Sequence, residues 1–71
     1  MTREQCRAAR ALLGVTQHQL ADAAKVSIAT LARFEQGAEL KALCADALAG
    51  ALGRAGVEFI PRGVQLRKDG K

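Results

Sequence analysis

The stretch Thr16-Gln-His-Gln-Leu-Ala-Asp-Ala-Ala-Lys-Val-Ser-Ile-Ala-Thr-Leu-Ala-Arg-Phe-Glu-Gln-Gly37 decides the fold of this chain. It carries two helix starts close together. Thr16 with Gln19 three residues on is a capping-box pattern, in which each side chain satisfies a free backbone N–H of the other. Ser27 is a second N-cap, its hydroxyl suited to accept from an unpaired amide of the next turn. Leu20, Ala21 and Ala24 fall at helical spacing and form the inner face of one short helix, as Leu31 and Phe34 do for the next. Gly37 stops the second helix. Two short helices joined by a tight turn can seat one helix in a DNA major groove while the other braces it.

Outward from this stretch the pattern stays helical on both sides. Cys6, Ala9 and Leu13 recur at helical spacing from Arg3 to Leu13, with Arg3, Glu4 and Arg7 facing out, and Gly14 ends the segment. A further helix is predicted from Ala42 to Ala55, with Leu48 and Leu52 inward and Gly56 as its stop. Val57–Ile60 and Gly63–Arg67 then alternate apolar and polar residues around a Pro61-Arg62-Gly63 turn, the signature of a small β-hairpin. An isolated two-stranded hairpin is marginal in water, so this one is expected to pack on the helices or pair with a second chain. Lys68 to Lys71 are expected to be disordered. The expected fold is mainly α, a bundle of four to five helices with a short C-terminal β-hairpin. Residues 1–56 would form the helical domain and residues 57–71 a tail serving dimerisation.

A chain of 71 residues makes one small domain that buries only about 60% of its unfolded surface. Its net charge of +4 is unevenly spread: residues 1–53 carry six basic and five acidic side chains, residues 54–71 five basic and two acidic. The sign suits a phosphate partner, and the strength is modest. Cys6 and Cys44 sit in alanine-rich helical segments and are expected to be reduced, small core residues, with no leader segment before them, as in a cytoplasmic protein. No apolar run approaches the roughly 20 residues that cross a bilayer. Cys6, His18 and Cys44 lie in separate segments without metal-ligand spacing, and His18 is expected to be a solvated helix residue. With one histidine, no Ser/His/Asp set and no glycine-rich phosphate loop, neither catalysis nor a cofactor is expected.

The set Gln17, Leu20-Ala21, Ala24, Val26-Ser27, Thr30-Leu31, Arg33, Glu35 and Gly37 resembles the Cro/C1-type helix-turn-helix regulators, also called xenobiotic-response-element-type. The resemblance spans about residues 6 to 55 and implies a lambda-repressor-like bundle. It implies that Arg10 and Glu35 form a structural ion pair tying the first helix to the end of the third. It implies DNA contacts at Gln17, Lys25, Ser27, Ile28, Ala29, Thr30, Arg33 and Lys41. In that scheme Gln17 and the second helix's N-terminus hold phosphate. Arg33 pairs with guanine, while Ile28, Ala29 and the Thr30 methyl touch thymine methyls. Lys25 stands where the family most often carries glycine, at a cost of roughly 1 kcal/mol if the backbone is left-handed, and can instead supply a phosphate contact.

The function expected from this is a sequence-specific transcriptional regulator binding a two-fold symmetric DNA operator as a homodimer, since one short recognition helix spans too few base pairs. Val57, Phe59, Val64 and Leu66 of the hairpin are the expected dimer contacts. The alternative is a protein-binding module, antiactivator or antitoxin-like, that keeps the fold but binds another regulatory protein. The near-neutral helical region and the apolar pair Ile28–Ala29 motivate it.

Overall fold

Thr2 opens the first helix, α1 (Arg3–Leu13), with a capping box that the sequence reading missed: its hydroxyl accepts from the Gln5 N–H at 3.0 Å, and its own N–H donates to Gln5 Oε1 at 2.8 Å. The computed structural model describes residues 1–68. α2 (Gln17–Ala24) begins with the same device at Thr16 and Gln19, and α3 (Ile28–Glu35) begins at Ser27, whose Oγ accepts from the Ala29 and Thr30 amides. α4 (Ala42–Arg54) follows Lys41, which offers no side-chain cap. Among the described residues there are four helices, followed by β1 (Val57–Ile60) and β2 (Gly63–Leu66). Of the tail expected to be disordered, Lys68 stands in a turn and residues 69–71 lie outside the described residues.

The helix ends show why the turns are tight. After α1 the Val15 N–H reaches back to the Arg10 carbonyl, after α2 Val26 to Ala21, and after α3 Ala38 to Arg33. Each is the six-to-one bond of a Schellman ending, which requires one left-handed residue. Glycine fills that position at Gly14 (φ 70°) and Gly37 (φ 118°), and Lys25 fills it after α2 at φ 60°. The family-like turn therefore keeps its geometry with a side chain that strains it.

The core is one cluster drawn from every helix and the hairpin: Cys6, Ala9, Leu20, Ala21, Ala24, Leu31, Phe34, Leu48, Ala51, Leu52 and Val57. Leu31, Leu48 and Leu52 are fully enclosed, each contributing about 2–3 kcal/mol of transfer free energy. Ala21, 3% exposed, allows α2 and α3 to approach closely. Cys6 is fully buried as expected of a core residue, whereas Cys44 is half-buried; both thiols are free. Cys44 departs from expectation because it sits in the first turn of α4, at the rim of the core.

The hairpin is antiparallel, pairing Val57 with Leu66, Glu58 with Gln65, Phe59 with Val64 and Ile60 with Gly63. β2 ends at Leu66, one residue earlier than predicted, because Gly56, opposite Arg67, has φ 106° and is not extended; Arg67 still donates its N–H to the Gly56 carbonyl and its side chain to the Gly53 carbonyl, both at 2.9 Å. Its turn, with Arg62 at φ 66°, is clamped by Gln5, whose Nε2 donates to the Ile60 and Gly63 carbonyls at 2.9 and 3.1 Å. β2 packs on α1 and β1 on α4. The same packing bears on the residues expected to serve a dimer. Val57, Phe59, Val64 and Leu66 share one face of the hairpin, and that face turns inward: Val57 is 2% exposed and Phe59 and Val64 pack against the core. Part of their apolar area stabilises this chain's own helices; Phe59 and Val64 stay half-buried and Leu66 is 48% exposed at the edge of the face.

Candidate nucleic-acid interface

The helix-turn-helix is held rigid from below by one carboxylate. Glu35, at the C-terminal end of α3, is 5% exposed. Arg10 from α1 grips it in a two-pronged ion pair, Nη2 to Oε1 at 2.7 Å and Nε to Oε2 at 2.9 Å. Gln17 Nε2 donates to Oε1 at 2.9 Å and the Cys6 thiol donates to Oε2 at 3.2 Å. Burial by itself would raise the Glu35 pKa, but the bonds from Arg10, Gln17 and Cys6 outweigh it and hold the carboxyl below its usual 4.5. Burial, followed by the bond to Glu35, pushes the Cys6 thiol up to about 12. The thiol is thus a neutral donor within this cluster, unsuited to nucleophilic or metal chemistry. No buried side-chain nitrogen or oxygen among the described residues lacks a partner.

Gln17 therefore has two possible employments. One Nε2 hydrogen is committed to Glu35, and the second hydrogen and the amide oxygen remain. It stands at the start of α2, where the cap uses the Gln19 amide and leaves the N–H groups of Gln17 and His18 without intrahelical partners. At the start of α3, Ser27 is exposed, and its hydroxyl accepts from the helix while its own O–H stays available to donate. Lys25 is exposed in the turn that ends α2 and leads to Ser27. Such paired helix starts, with free amides and positive dipole ends, are suited to phosphate oxygens.

On the outer side of α3, Ala29 and Arg33 are exposed and Thr30 is half-buried. Thr30, Arg33 and Lys41 line one cleft between the end of α3 and the start of α4, with a volume of about 270 Å³. Cys44 and Glu39 line the same cleft, so a carboxylate sits close to the cations and weakens the local positive field. Ile28 is half-buried and packs against the core. It stands at the N-terminal end of α3, with part of its surface packed inside the domain and part accessible. The sequence reading missed Glu39 and Cys44 in this cleft, because which loop residues fold beside α3 depends on how α4 is docked.

His18 is exposed, on the outer side of α2. Among the described residues no cluster of three or more His, Cys, Asp or Glu side chains is placed to hold a metal ion. No helix is long and apolar enough to cross a membrane.

Two capped helices at a tight turn, a braced ion pair beneath them and a polar outer face on the second helix are matched by comparison with known families. The helix-turn-helix family model covers residues 7–59, well over half of the chain. No curated protein matches the chain. The match extends from α1 through α3 into β1, over every core residue but Cys6, and the chain belongs to the Cro/C1-type helix-turn-helix family of DNA-binding regulators.

Proposed function

We propose that this protein is a sequence-specific transcriptional regulator, working in the cytoplasm as a homodimer on a two-fold symmetric operator and binding DNA without a cofactor or a catalytic step. The observation that carries the reading is the exposed Arg33 in the last turn of α3, sharing a cleft with Thr30 and Lys41. In this scheme α3 lies in the major groove. Arg33 donates two hydrogen bonds to guanine O6 and N7, and Ala29 and the Thr30 methyl contact thymine methyls. Gln17, Ser27 and Lys25 meet phosphates across the turn, and Lys41 meets the next phosphate along. Glu35 acts as a positioning residue, fixing the Gln17 amide and the end of α3 at once.

Enrichment from a random duplex pool should return a palindromic sequence with half-sites about one helical turn apart. Affinity for it should fall steeply with salt, by about 0.9 in logarithmic slope for each phosphate contact. Arg33→Ala should cost about 1–3 kcal/mol and relax preference at one base pair. If no sequence is enriched and Arg33→Ala leaves binding unchanged, the groove assignment is wrong. Glu39 beside the cations and the near-neutral charge of residues 1–53 favour a second reading, a module that binds another regulatory protein. The inward packing of Ile28 weighs against it, because part of the apolar surface that suggested a protein partner is used inside the domain.

A further inference from the structure

Among the described residues, the outer face of α4 carries little of this chain's own packing beyond the Arg67 side chain, which donates to the Gly53 carbonyl at 2.9 Å. Leu48, Ala51 and Leu52 point into the core. At about 100° per residue, the opposite side carries Leu43, Asp46, Gly50, Gly53 and Arg54. Leu43 is 83% exposed, and Asp46 and Arg54 are exposed. The main packing of α4 is against α2 and β1. Glycine inside a helix weakens it relative to alanine, yet this helix has two. Neither is needed by the chain's own geometry. A Cβ at Gly53 would meet nothing within 4 Å, and one at Gly50 would meet only the mobile end of the Arg54 side chain at 3.3 Å. The two glycines are half-buried, and where the flexible Arg54 side chain over Gly50 extends away, the missing Cβ allows another backbone to come close.

The charges on that face say which backbone. Asp46 and Arg54 stand four residues to either side of Gly50. If two α4 helices meet antiparallel about a two-fold axis at Gly50, Asp46 of each lies opposite Arg54 of the other. A parallel pairing would set Asp46 against Asp46. The Arg54 guanidinium already lies across the helix surface beside Gly50, where it can reach a carboxylate on a facing helix. Each Leu43 would then extend beyond this ion pair and cover the C-terminal end of the facing α4. We propose that α4 pairs antiparallel with α4 of a second copy of this chain, centred on Gly50. This deepens the homodimer reading above and rests on it, and it moves the interface from the hairpin to the helix. A helix of 13 residues is about 20 Å long and offers less area than a standard stable interface, so the pair is weak alone. It is strengthened when both copies hold one duplex.

The test is charge reversal, read by sedimentation equilibrium of the full chain, free and on the enriched duplex. Asp46→Arg and Arg54→Asp should each weaken pairing at least about tenfold, and the double reversal should restore it. Both positions are exposed, so the fold should tolerate the changes, and circular dichroism of each variant checks that it does. Wild-type pairing that ignores both single reversals would overturn the α4 interface while leaving the homodimer intact. Single reversals that weaken pairing without rescue in the double variant would overturn the antiparallel register. A chain that stays monomeric both free and on DNA would overturn the homodimer itself.

Discussion

Replacing Glu35 by alanine removes the acceptor that joins α1, α2 and α3. Three side chains lose their partner at once: Arg10 with two bonds, Gln17 with one and Cys6 with one. Removing one member of a buried ion pair costs about 3–5 kcal/mol, because the other charge stays desolvated and unpaired. The Arg10 side chain is 22% exposed and can take up water, which places the loss near the lower end, about 3 kcal/mol. A domain of 71 residues has roughly 4–11 kcal/mol in all, so a large share disappears. The melting temperature should fall by roughly 12–24 °C. Urea and thermal unfolding followed by far-ultraviolet circular dichroism measure it, and a loss under about 1 kcal/mol would mean that Glu35 is hydrated rather than braced.

The pH dependence provides an independent check on the same carboxylate. Its folded pKa lies below 4.5, the unfolded value. The stability it contributes is therefore fully present above that pH and is lost as pH falls through the folded value. Glu35→Gln keeps the shape but removes the titration. The stability gap between wild type and this variant should be constant near neutrality and shrink below pH 4.5. Glu4 titrates in the same direction but is present in both proteins and cancels. A gap that stays level down through that window would refute the ion-pair account.

Other expectations follow from the turns and the thiols. Lys25→Gly should stabilise the fold by about 0.5–1 kcal/mol by relieving the left-handed strain at φ 60°. It should also lower the salt slope of DNA binding by about one if Lys25 meets a phosphate; unfolding and binding titrations measure the two effects separately. Gln5→Ala removes the Gln5 half of the α1 capping box, leaving the Thr2 hydroxyl cap, and the clamp on the hairpin turn, a loss of about 1–2 kcal/mol. Hydrogen exchange should then quicken in β1 and β2 more than in α2 and α3. In native protein, half-buried Cys44 should react with a thiol reagent well before Cys6, whose thiol is enclosed and pushed up to about 12; equal rates would contradict the packing of α1.

The helices, the starts at Thr16 and Ser27 and the turn between α2 and α3 were legible in the chain because they are made by neighbours, as is the Thr2–Gln5 start of α1 that went unread. Thr16 and Gln19, Ser27 and the amides after it, and the spacing of Leu20, Ala21 and Ala24 act within a few residues of one another. The same locality explains the hairpin strands and their turn. The Arg10–Glu35 pair was reachable through family resemblance, since no local rule links residues so far apart. By contrast, the Gln5 clamp on Ile60 and Gly63, the Gln17 and Cys6 bonds to Glu35, and Glu39 in the cleft depend on where whole elements dock. Alternation along a strand says that Val57, Phe59, Val64 and Leu66 share a face, but not whether that face meets its own helices or another chain. The sequence by itself determined the elements and the left-handed strain at Lys25. Tertiary structure alone decided that the hairpin's apolar face closes this chain's core, because burial is a property of the assembled surfaces and not of the residues that contribute to them.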